Sequence, residues 1–302
     1  MKLFDISQWR CWLMATILTA SAVALNSCSS VPLTGRNRVM IVSDDVILQN
    51  SFQEYRQFIA RAPKSSNQVA IAQVRRVGER IARATEAYLG RVGLAADAKK
   101  YRWEFNLVAS PQVNAFCMPG GKIVVYEGLF KYARTDDELA TVLSHEVAHA
   151  VAKHGNERMS QSMLQQYGAI ALGTILSGKS VAVQQAASTV YGLGSKMLVM
   201  LPYSRKHEYE ADQIGLYLMA MAGYNPNSAI TFWKKMAAGK TNATPEFMST
   251  HPNDGNRVQR IQTELPKVEA FMHGGTTVAP KQKETPKPQR EEGRKVPIQT
   301  HY

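Results

Sequence analysis

The sequence predicts an α+β fold that is mainly helical and contains one small β-sheet. Residues 67–89 place apolar side chains at alternating steps of four and three, which is the spacing of one helix face. Residues 101–107 alternate apolar and polar side chains, the period of a half-buried strand. A Pro-Gly-Gly turn then leads into a second predicted strand, Lys122–Tyr126. With 302 residues, 45% of them hydrophobic, the chain is long enough to bury a substantial core.

Four further segments are predicted to be helical: 135–155, 204–226, 227–237 and 253–264. In the first of them, Thr135 and Glu138 have the spacing of a capping box, and Gly155 is placed to end the helix. The apolar segment 167–178 is interpreted as a core helix, with a segment that dips into a membrane as the alternative.

The first 27 residues are predicted to be a lipoprotein signal peptide. Lys2 and Arg10 precede a short apolar run, which is shorter than the about 20 apolar residues of a membrane-spanning helix. The residues before Cys28 resemble a bacterial lipobox, although Asn26 is bulkier than the usual residue there. The resemblance implies a lipid on Cys28, and Ser29 after it implies anchoring to the outer membrane, in the bacterial periplasm. Ordinary signal cleavage nearby is the alternative.

The distribution of charge and the cysteine content argue against a nucleic-acid-binding protein and against a disulfide framework. The formal net charge is +12, which suits solvation or an anionic membrane surface. The sequence lacks the aromatic-basic stripe of nucleic-acid binders, so no nucleic-acid partner is expected. Cys11 leaves with the signal peptide and Cys28 carries lipid, so Cys117 has no disulfide partner and is expected to be a buried apolar residue.

The predicted elements divide the chain into four parts. The signal peptide (1–27) is followed by an N-terminal lead-in (28–62) and then by the main domain (63–272). The remaining residues, 273–302, form a basic Pro-rich tail that is predicted to be disordered because it has few large apolar side chains.

The stretch LSHEVAHAVAKHG contains His145, Glu146 and His149 in the H-E-x-x-H arrangement of zinc peptidases. Residues four apart on a helix lie on one face, so both histidines are able to bind one zinc ion. Glu146 lies about 100° further round the helix, where it reaches a water next to the metal and acts as general base. His154 is nine residues from His145 and is predicted to point to the opposite face, outside the metal site.

A catalytic zinc ion normally has three protein ligands, so one ligand is missing. In the segment HEYEAD, Glu208 and Asp212 are four residues apart and share a helix face, whereas Glu210 points about 200° away from Glu208. This favours Glu208 as a ligand and Asp212 as the carboxylate behind a ligand histidine. His207 remains an alternative third ligand.

Three motifs together resemble the gluzincin family that contains HtpX and the CAAX prenyl proteases, and most closely its periplasmic lipoprotein, BepA-like branch and its mitochondrial inner-membrane relatives. They are LSHEVAHAVAKHG, YSRKHEYEADQIG and NAFCMPGGKIVVYEGL, and the resemblance extends over roughly residues 31–265. It implies a zincin-like metallopeptidase domain with one Zn²⁺ per chain, held by His145, His149 and Glu208 and supported by Asp212. It also implies that substrate lies extended along an edge strand bordering the active site, formed by Lys122, Ile123, Val124, Val125 and Tyr126.

The segment STHPNDGNR adds a further resemblance to this family. It implies that His251, with Arg257 nearby, occupies the fourth zinc position as a latch that is displaced on activation. The alternative is that His251 only caps the helix that follows it.

The sequence therefore predicts a zinc endopeptidase of the bacterial cell envelope that cleaves misfolded or misassembled polypeptides. The alternative function is an assembly factor or chaperone for outer-membrane proteins, with the outer-membrane assembly machinery as partner and with rarely used protease activity.

Overall fold

The structure, a computed structural model, describes residues 28–176, 204–239, 246–251 and 255–274. The predicted signal peptide and the part of the predicted tail after residue 274 lie outside the described residues. Cys28 is the first residue of a strand, and its lipidation stays a prediction.

The described residues fold mainly into helices, as predicted. The helices are, in chain order, α1 (Asp44–Arg61), α2 (Gln68–Arg91), the short α3 (Ala95–Ala98), α4 (Asp136–Val151), α5 (His154–Leu176), α6 (Arg205–Met221), α7 (Ser228–Ala238), α8 (Glu246–Thr250) and α9 (Arg257–Met272). None of them is long and apolar enough to cross a membrane. A 3₁₀ helix, Glu127–Lys131, follows the last strand.

Five strands form two small sheets among the described residues. The strands are β1 (Cys28–Ser30), β2 (Asn37–Val39), β3 (Glu104–Val108), β4 (Ala115–Met118) and β5 (Lys122–Tyr126). The first two pair as an antiparallel hairpin. The other three have the order β3-β5-β4, with β5 parallel to β3 and antiparallel to β4.

This sheet order corrects the predicted edge strand. The strand β5 lies in the centre, because Ile123 pairs with Phe105 of β3 on one side and with Cys117 of β4 on the other. Its backbone hydrogen-bonding groups are therefore used within the sheet and are not free for a substrate. The free edge next to the long central helix belongs to β4, which was not predicted as a strand.

The helix α4 is the centre of the core. It packs against α2, α6, α7 and β4, and its Leu139 and Leu143 are fully buried. Its start is as predicted, because Thr135 accepts from the backbone N–H of Glu138 and Glu138 accepts from that of Thr135. The acidic first turn complements the positive end of the helix dipole.

The end of α4 differs from the prediction. The helix ends at Val151, not near Gly155, and Lys153 has a positive φ of 55°. This left-handed residue reverses the chain, so His154 starts a new helix, α5. The helical segment 167–176 continues α5.

The amphipathic pattern of α2 is confirmed. Its predicted apolar positions Val74, Val77 and Ile81 are buried against α4 and β3. Gly78 is needed on this face, because a Cβ there would lie 2.3 Å from the ring of Phe105.

The N-terminal lead-in lies against the end of α4. The buried guanidinium of Arg38, on β2, donates to the carbonyl oxygen of Ala152 at the C-cap of α4 and to the hydroxyl of Ser29. A helix C-terminus leaves carbonyl oxygens without partners, and a basic side chain satisfies them. The hairpin therefore supports the helix that carries His145 and His149.

Candidate metal centre

Three helical segments bring four metal-binding side chains together. His145 and His149 lie one turn apart on α4, Glu208 lies in the first turn of α6, and His251 directly follows α8. One ligand atom from each of the four lies within 4.8 Å of the others. All four residues are buried, with exposed fractions between 1% and 3%.

The distances within this cluster suit a bound cation. Nε2 of His145 lies 3.1 Å from Nε2 of His149 and 3.3 Å from Nδ1 of His251. The carboxylate of Glu208 closes the group, with Oε1 3.0 Å from Nδ1 of His251 and Oε2 3.3 Å from Nε2 of His145. Oε2 of Glu208 is buried without a hydrogen-bond donor, and ring nitrogens face each other across the centre. Imidazole nitrogens and a carboxylate oxygen are the donors that zinc prefers, so the residues fit one zinc ion.

The helices α4 and α6 lie close enough together for their side chains to form this cluster. A Cβ on Gly215 of α6 would lie 3.2 Å from the backbone nitrogen of His145 on α4. With glycine at this position the two backbones approach, and Glu208 and Asp212 on α6 reach the histidines of α4. The sequence indicated the helix face of these carboxylates but not this contact.

Asp212 lies behind the cluster, where the sequence placed it. Nδ1 of His145 lies 2.9 Å from Oδ1 of Asp212, which fixes the hydrogen on Nδ1 and leaves the lone pair of Nε2 directed into the cluster. Arg257 donates to the same Oδ1 at 2.7 Å and is 1% exposed. Its guanidinium carbon lies 3.3 Å from the centre of the Trp233 ring. Arg257 therefore holds Asp212 and is not itself a member of the donor cluster.

Glu146 lies beside the cluster and outside it. Its Oε1 is buried, without a hydrogen bond, 3.4 Å from Nε2 of His251. Burial raises the pKa of Glu146 to about 7; His251 opposes this rise, nearby Glu208 adds to it, and a hydrogen bond from the backbone of Cys117 opposes it. A buried carboxylate with a free oxygen next to the donor cluster is suited to accept a proton.

His251 occupies the fourth position of the cluster. Its ring packs against Phe247, with 4.7 Å between the ring centres, and its Nδ1 bonds to Glu208. It does not cap α9, because that helix begins at Arg257 with Asn256 as its N-cap residue. The alternative that His251 only caps the next helix is therefore wrong.

His207 is turned away from the cluster. Its Nε2 lies 3.2 Å from Oε2 of Glu157, and its ring stacks on that of His154 with 4.3 Å between centres. The alternative that His207 supplies the third donor in place of Glu208 is therefore not supported by the geometry.

His154 is outside the donor cluster, as predicted, but for a different reason. The prediction assumed one continuous helix, whereas α4 ends before His154. The turn at Lys153 brings Nδ1 of His154 to 2.9 Å from Nδ1 of His149, instead of turning it to the opposite face.

The edge strand β4 packs against α4, the helix that carries His145 and His149. Its Cys117 is half-buried, and burial raises the pKa of the thiol, so the thiolate is disfavoured. Its backbone N–H contacts Glu146. The edge strand that borders the candidate site is therefore β4, in place of the predicted residues 122–126.

Comparison with known proteins shows which family and which relatives this chain is similar to. The family model for Peptidase family M48 matches residues 72–265. The mitochondrial metalloendopeptidase OMA1 of Schizosaccharomyces pombe is 35% identical over 184 residues, which cover 60% of this chain and 52% of that protein. Human metalloendopeptidase OMA1, mitochondrial, is 28% identical over 246 residues, covering 78% of this chain and 45% of that protein. The beta-barrel assembly-enhancing protease of Escherichia coli is 28% identical over 181 residues, covering 57% of this chain and 37% of that protein.

These similarities correct the predicted location and leave the predicted branch of the family unconfirmed. The chain spans about half the length of these relatives or less. The relatives from fission yeast, Arabidopsis thaliana, budding yeast, cattle and human are mitochondrial, which contradicts the predicted bacterial periplasmic location at the outer membrane. The predicted membership of the periplasmic lipoprotein branch is not confirmed, because the fission yeast protein shares 35% identity with this chain and the Escherichia coli protein 28%.

Proposed function

The chain belongs to peptidase family M48, and on this premise we propose that it is a zinc-dependent endopeptidase that cleaves extended segments of misfolded or misassembled proteins. The observation that carries the proposal is the buried cluster of His145, His149, Glu208 and His251, with the carboxylate of Glu146 beside it.

In this proposal His145, His149 and Glu208 hold one zinc ion. When bound, the ion supplies Lewis acidity, which makes a neighbouring water more acidic and polarises the scissile carbonyl. Glu146 accepts the proton of the water as its oxygen attacks the carbonyl carbon. The same carboxylic acid then gives the proton to the amine nitrogen as the C–N bond breaks. The second hydrogen of the water stays on the new acid group, so the products are a carboxylic acid and an amine, which become a carboxylate and an ammonium group when that proton passes to the amine. Glu146 ends in its starting protonation state.

The role of Asp212 is to orient His145. Because Nδ1 of His145 donates to Asp212, Nε2 presents its lone pair towards the donor cluster. Arg257 restrains Asp212 and balances its charge in this buried position.

We infer that His251 acts as a latch. It contacts both Glu208 and Glu146, so it occupies the space in which water and substrate would meet the base. Cleavage then requires His251 to move away, which makes the described arrangement a resting state.

The substrate surface in this proposal is the free edge of β4, Ala115–Met118. This edge lies next to α4, and the backbone of Cys117 contacts the proposed general base Glu146. An extended polypeptide that pairs with a strand edge is bound mainly through its backbone, which favours low sequence selectivity. Low selectivity suits substrates that are recognised because they are unfolded.

The test is cleavage of casein by the full chain with zinc present, with chelator added, and with zinc restored. We expect cleavage by the zinc-loaded wild type, loss with chelator, and loss in Glu146→Gln although that variant still binds zinc. Glu79→Gln, on the exposed face of α2, is the matched control and should cleave as the wild type does. Cleavage by zinc-loaded Glu146→Gln would contradict the mechanism.

A second candidate function is a client-binding assembly factor that rarely cleaves. It is favoured by His251, which closes the site in the described arrangement. The two functions are separated by the Glu146→Gln variant. If this variant prevents aggregation of an unfolded client as well as the wild type does, and the wild type leaves the client intact, the assembly role is supported.

A further inference from the structure

A second buried network lies behind His149, on the side away from the donor cluster. His154, at the start of α5, is 0% exposed. Its Nδ1 lies 2.9 Å from Nδ1 of His149, and its Nε2 lies 2.9 Å from Oε2 of Glu210. His154 therefore connects a ring of the donor cluster to a carboxylate on another helix.

The hydrogen positions in this chain of contacts follow from the donor cluster. Nε2 of His149 faces the cluster, so its lone pair is needed there and the ring hydrogen lies on Nδ1. That hydrogen is donated to Nδ1 of His154, which must then carry its own hydrogen on Nε2. Nε2 of His154 donates in turn to Glu210, so every nitrogen has a partner with the correct polarity.

Glu210 is fixed by the N-terminal lead-in. Nε of Arg36 donates to its Oε2 at 2.8 Å, and the hydroxyl of Thr34 donates to its Oε1 at 2.5 Å. The same guanidinium binds Glu157 of α5 through two hydrogen bonds of 2.8 and 2.6 Å. Thr34 and Arg36 lie in the loop of the β1–β2 hairpin, which is outside the residues matched by the family model.

We propose that His154 and Glu210 are positioning residues for the metal site, which hold the ring of His149 in its binding orientation, and that Arg36 of the N-terminal hairpin holds Glu210 in place. The proposal rests on the proposed zinc site. It gives His149 the same kind of support that Asp212 gives His145, with a histidine inserted between the ligand and the carboxylate.

A separate metal site in this network is not indicated. Among the described residues, His, Cys, Asp and Glu donors converge closely enough for an ion only at His145, His149, Glu208 and His251. The carboxylates of Glu210 and Glu157 are instead satisfied by the guanidinium of Arg36, which is a fixed cation.

The experiment measures zinc affinity of the full chain by competition with a chromophoric chelator, and the visible spectrum after Co²⁺ substitution. His154→Leu removes the acceptor for Nδ1 of His149, so we expect zinc affinity to fall by about 10–100-fold and the Co²⁺ spectrum to change. His154→Asn keeps an acceptor oxygen near the position of Nδ1 and should recover much of the affinity. Arg36→Gln should weaken zinc binding by about three- to tenfold, less than His154→Leu does, because Glu210 keeps its other partners.

The matched control is Ser160→Ala. Ser160 lies on α5, as His154 does, and is 0% exposed. Its hydroxyl accepts a hydrogen bond from the backbone N–H of Ile41 in the lead-in, but it does not contact His154, Glu210 or Arg36. This variant should lose stability and keep both the zinc affinity and the Co²⁺ spectrum of the wild type.

The outcomes separate the inference from the proposed function. A folded His154→Leu variant with wild-type zinc affinity and an unchanged Co²⁺ spectrum would overturn the inference and leave the zinc site intact. If His154→Leu does not fold, the inference is tested with Arg36→Gln. An unchanged zinc affinity of Arg36→Gln would overturn the inference. A wild type that binds no zinc would overturn both the proposed function and the inference.

Discussion

In the proposed mechanism, the contact between Glu146 and His251 determines at the residue scale whether the site is open. The closest contact between a carboxylate oxygen of Glu146 and Nε2 of His251 is 3.4 Å, which leaves no space for a scissile peptide between them. A general base must lie within hydrogen-bond reach of the attacking water. In the proposed resting state, His251 therefore occupies the place where the base Glu146 would act.

The first prediction concerns His251→Ala. Removing the imidazole opens the fourth position of the cluster, so we expect faster casein cleavage at equal zinc occupancy. Phe247, which packs against the ring, remains in place and limits the structural change. The measurement is the initial rate at saturating zinc, and the double variant with Glu146→Gln should be inactive. A folded, zinc-loaded His251→Ala that is no faster than the wild type contradicts the latch.

The second prediction concerns Asp212. In Asp212→Ala the Nδ1 hydrogen of His145 loses its acceptor, so zinc affinity should fall by about 10–100-fold. The same change removes the closest charge partner of the buried Arg257 and leaves it only Glu208 at 3.5 Å, which should cost about 3 kcal/mol of folding stability. Asp212→Asn keeps the acceptor oxygen and should lose less affinity than Asp212→Ala does. Equal zinc affinities of wild type and Asp212→Ala, measured on folded protein, would exclude the positioning role.

At the scale of elements, the contact between α4 and α6 determines the site. The proposed ligands His145 and His149 on α4 are one turn apart and need no tertiary structure to share a face. Glu208 reaches them only because α6 lies close to α4 at Gly215, where a Cβ would be 3.2 Å from a backbone atom of His145. The packing of these two helices is therefore part of the metal site.

The third prediction tests this contact with a pair of glycine variants. Gly90→Ala, on α2, meets no atom within 4 Å, so it should stabilise the protein by up to about 1 kcal/mol through helix propensity. Gly215→Ala gains the same propensity, but the forced separation of the helices should cost about 1–3 kcal/mol. We expect a net loss of stability and weaker zinc binding in Gly215→Ala alone. Urea unfolding and zinc competition are the measurements, and equal stabilisation by both variants would refute the packing argument.

The sheet shows a second effect at this scale. Four of the five residues after the Pro-Gly-Gly turn, Lys122 to Val125, are buried, which is typical of a central strand and not of an exposed edge. The short strand β4 takes the edge and borders Glu146. The motif resemblance implied an edge strand at residues 122–126, whereas the strand order places the edge at β4.

At the scale of the whole molecule, the N-terminal hairpin joins the core through charges. Arg36 has a side-chain exposure of 15% and bridges Glu157 of α5 and Glu210 of α6. Burial opposes ionisation of Glu157, but hydrogen bonds from Arg36 and His207 outweigh it, and the pKa of this carboxyl lies well below its usual range. The ion pair therefore links three parts of the chain that are distant in sequence.

The fourth prediction is the pH dependence of this link. Because the pKa of Glu157 is lower in the folded protein than its ordinary value of 4.5, its contribution to stability is present above pH 4.5 and is lost as the pH falls below that value. Glu157→Gln should cost about 3 kcal/mol near neutral pH, since Arg36 loses a buried partner. The difference between wild type and variant should narrow in urea unfolding below pH 4.5. A difference that stays constant or widens on acidification would contradict the assignment. Glu79→Gln, on an exposed face, is the control.

The sequence alone determined the metal-binding pair and much of the secondary structure. The H-E-x-x-H spacing places His145 and His149 on one face wherever the helix lies in the fold, because helix geometry is local. The capping box at Thr135 and the amphipathic pattern of α2 are local for the same reason. These features needed no contact between distant residues.

Only the tertiary structure decided which distant groups join this pair. Periodicity along Glu208, Glu210 and Asp212 gives directions around a helix axis, but it does not show that α6 approaches α4 at Gly215 or that Arg36 reaches Glu210. The predicted helix 135–155 is continuous, whereas the chain reverses at Lys153, which has a left-handed backbone conformation. The prediction therefore directed His154 away from His149, although their rings lie close together. The contacts that orient the histidines and the order of the strands depend on long-range packing and on backbone reversals. Long-range packing and backbone reversals leave no periodic pattern in the sequence.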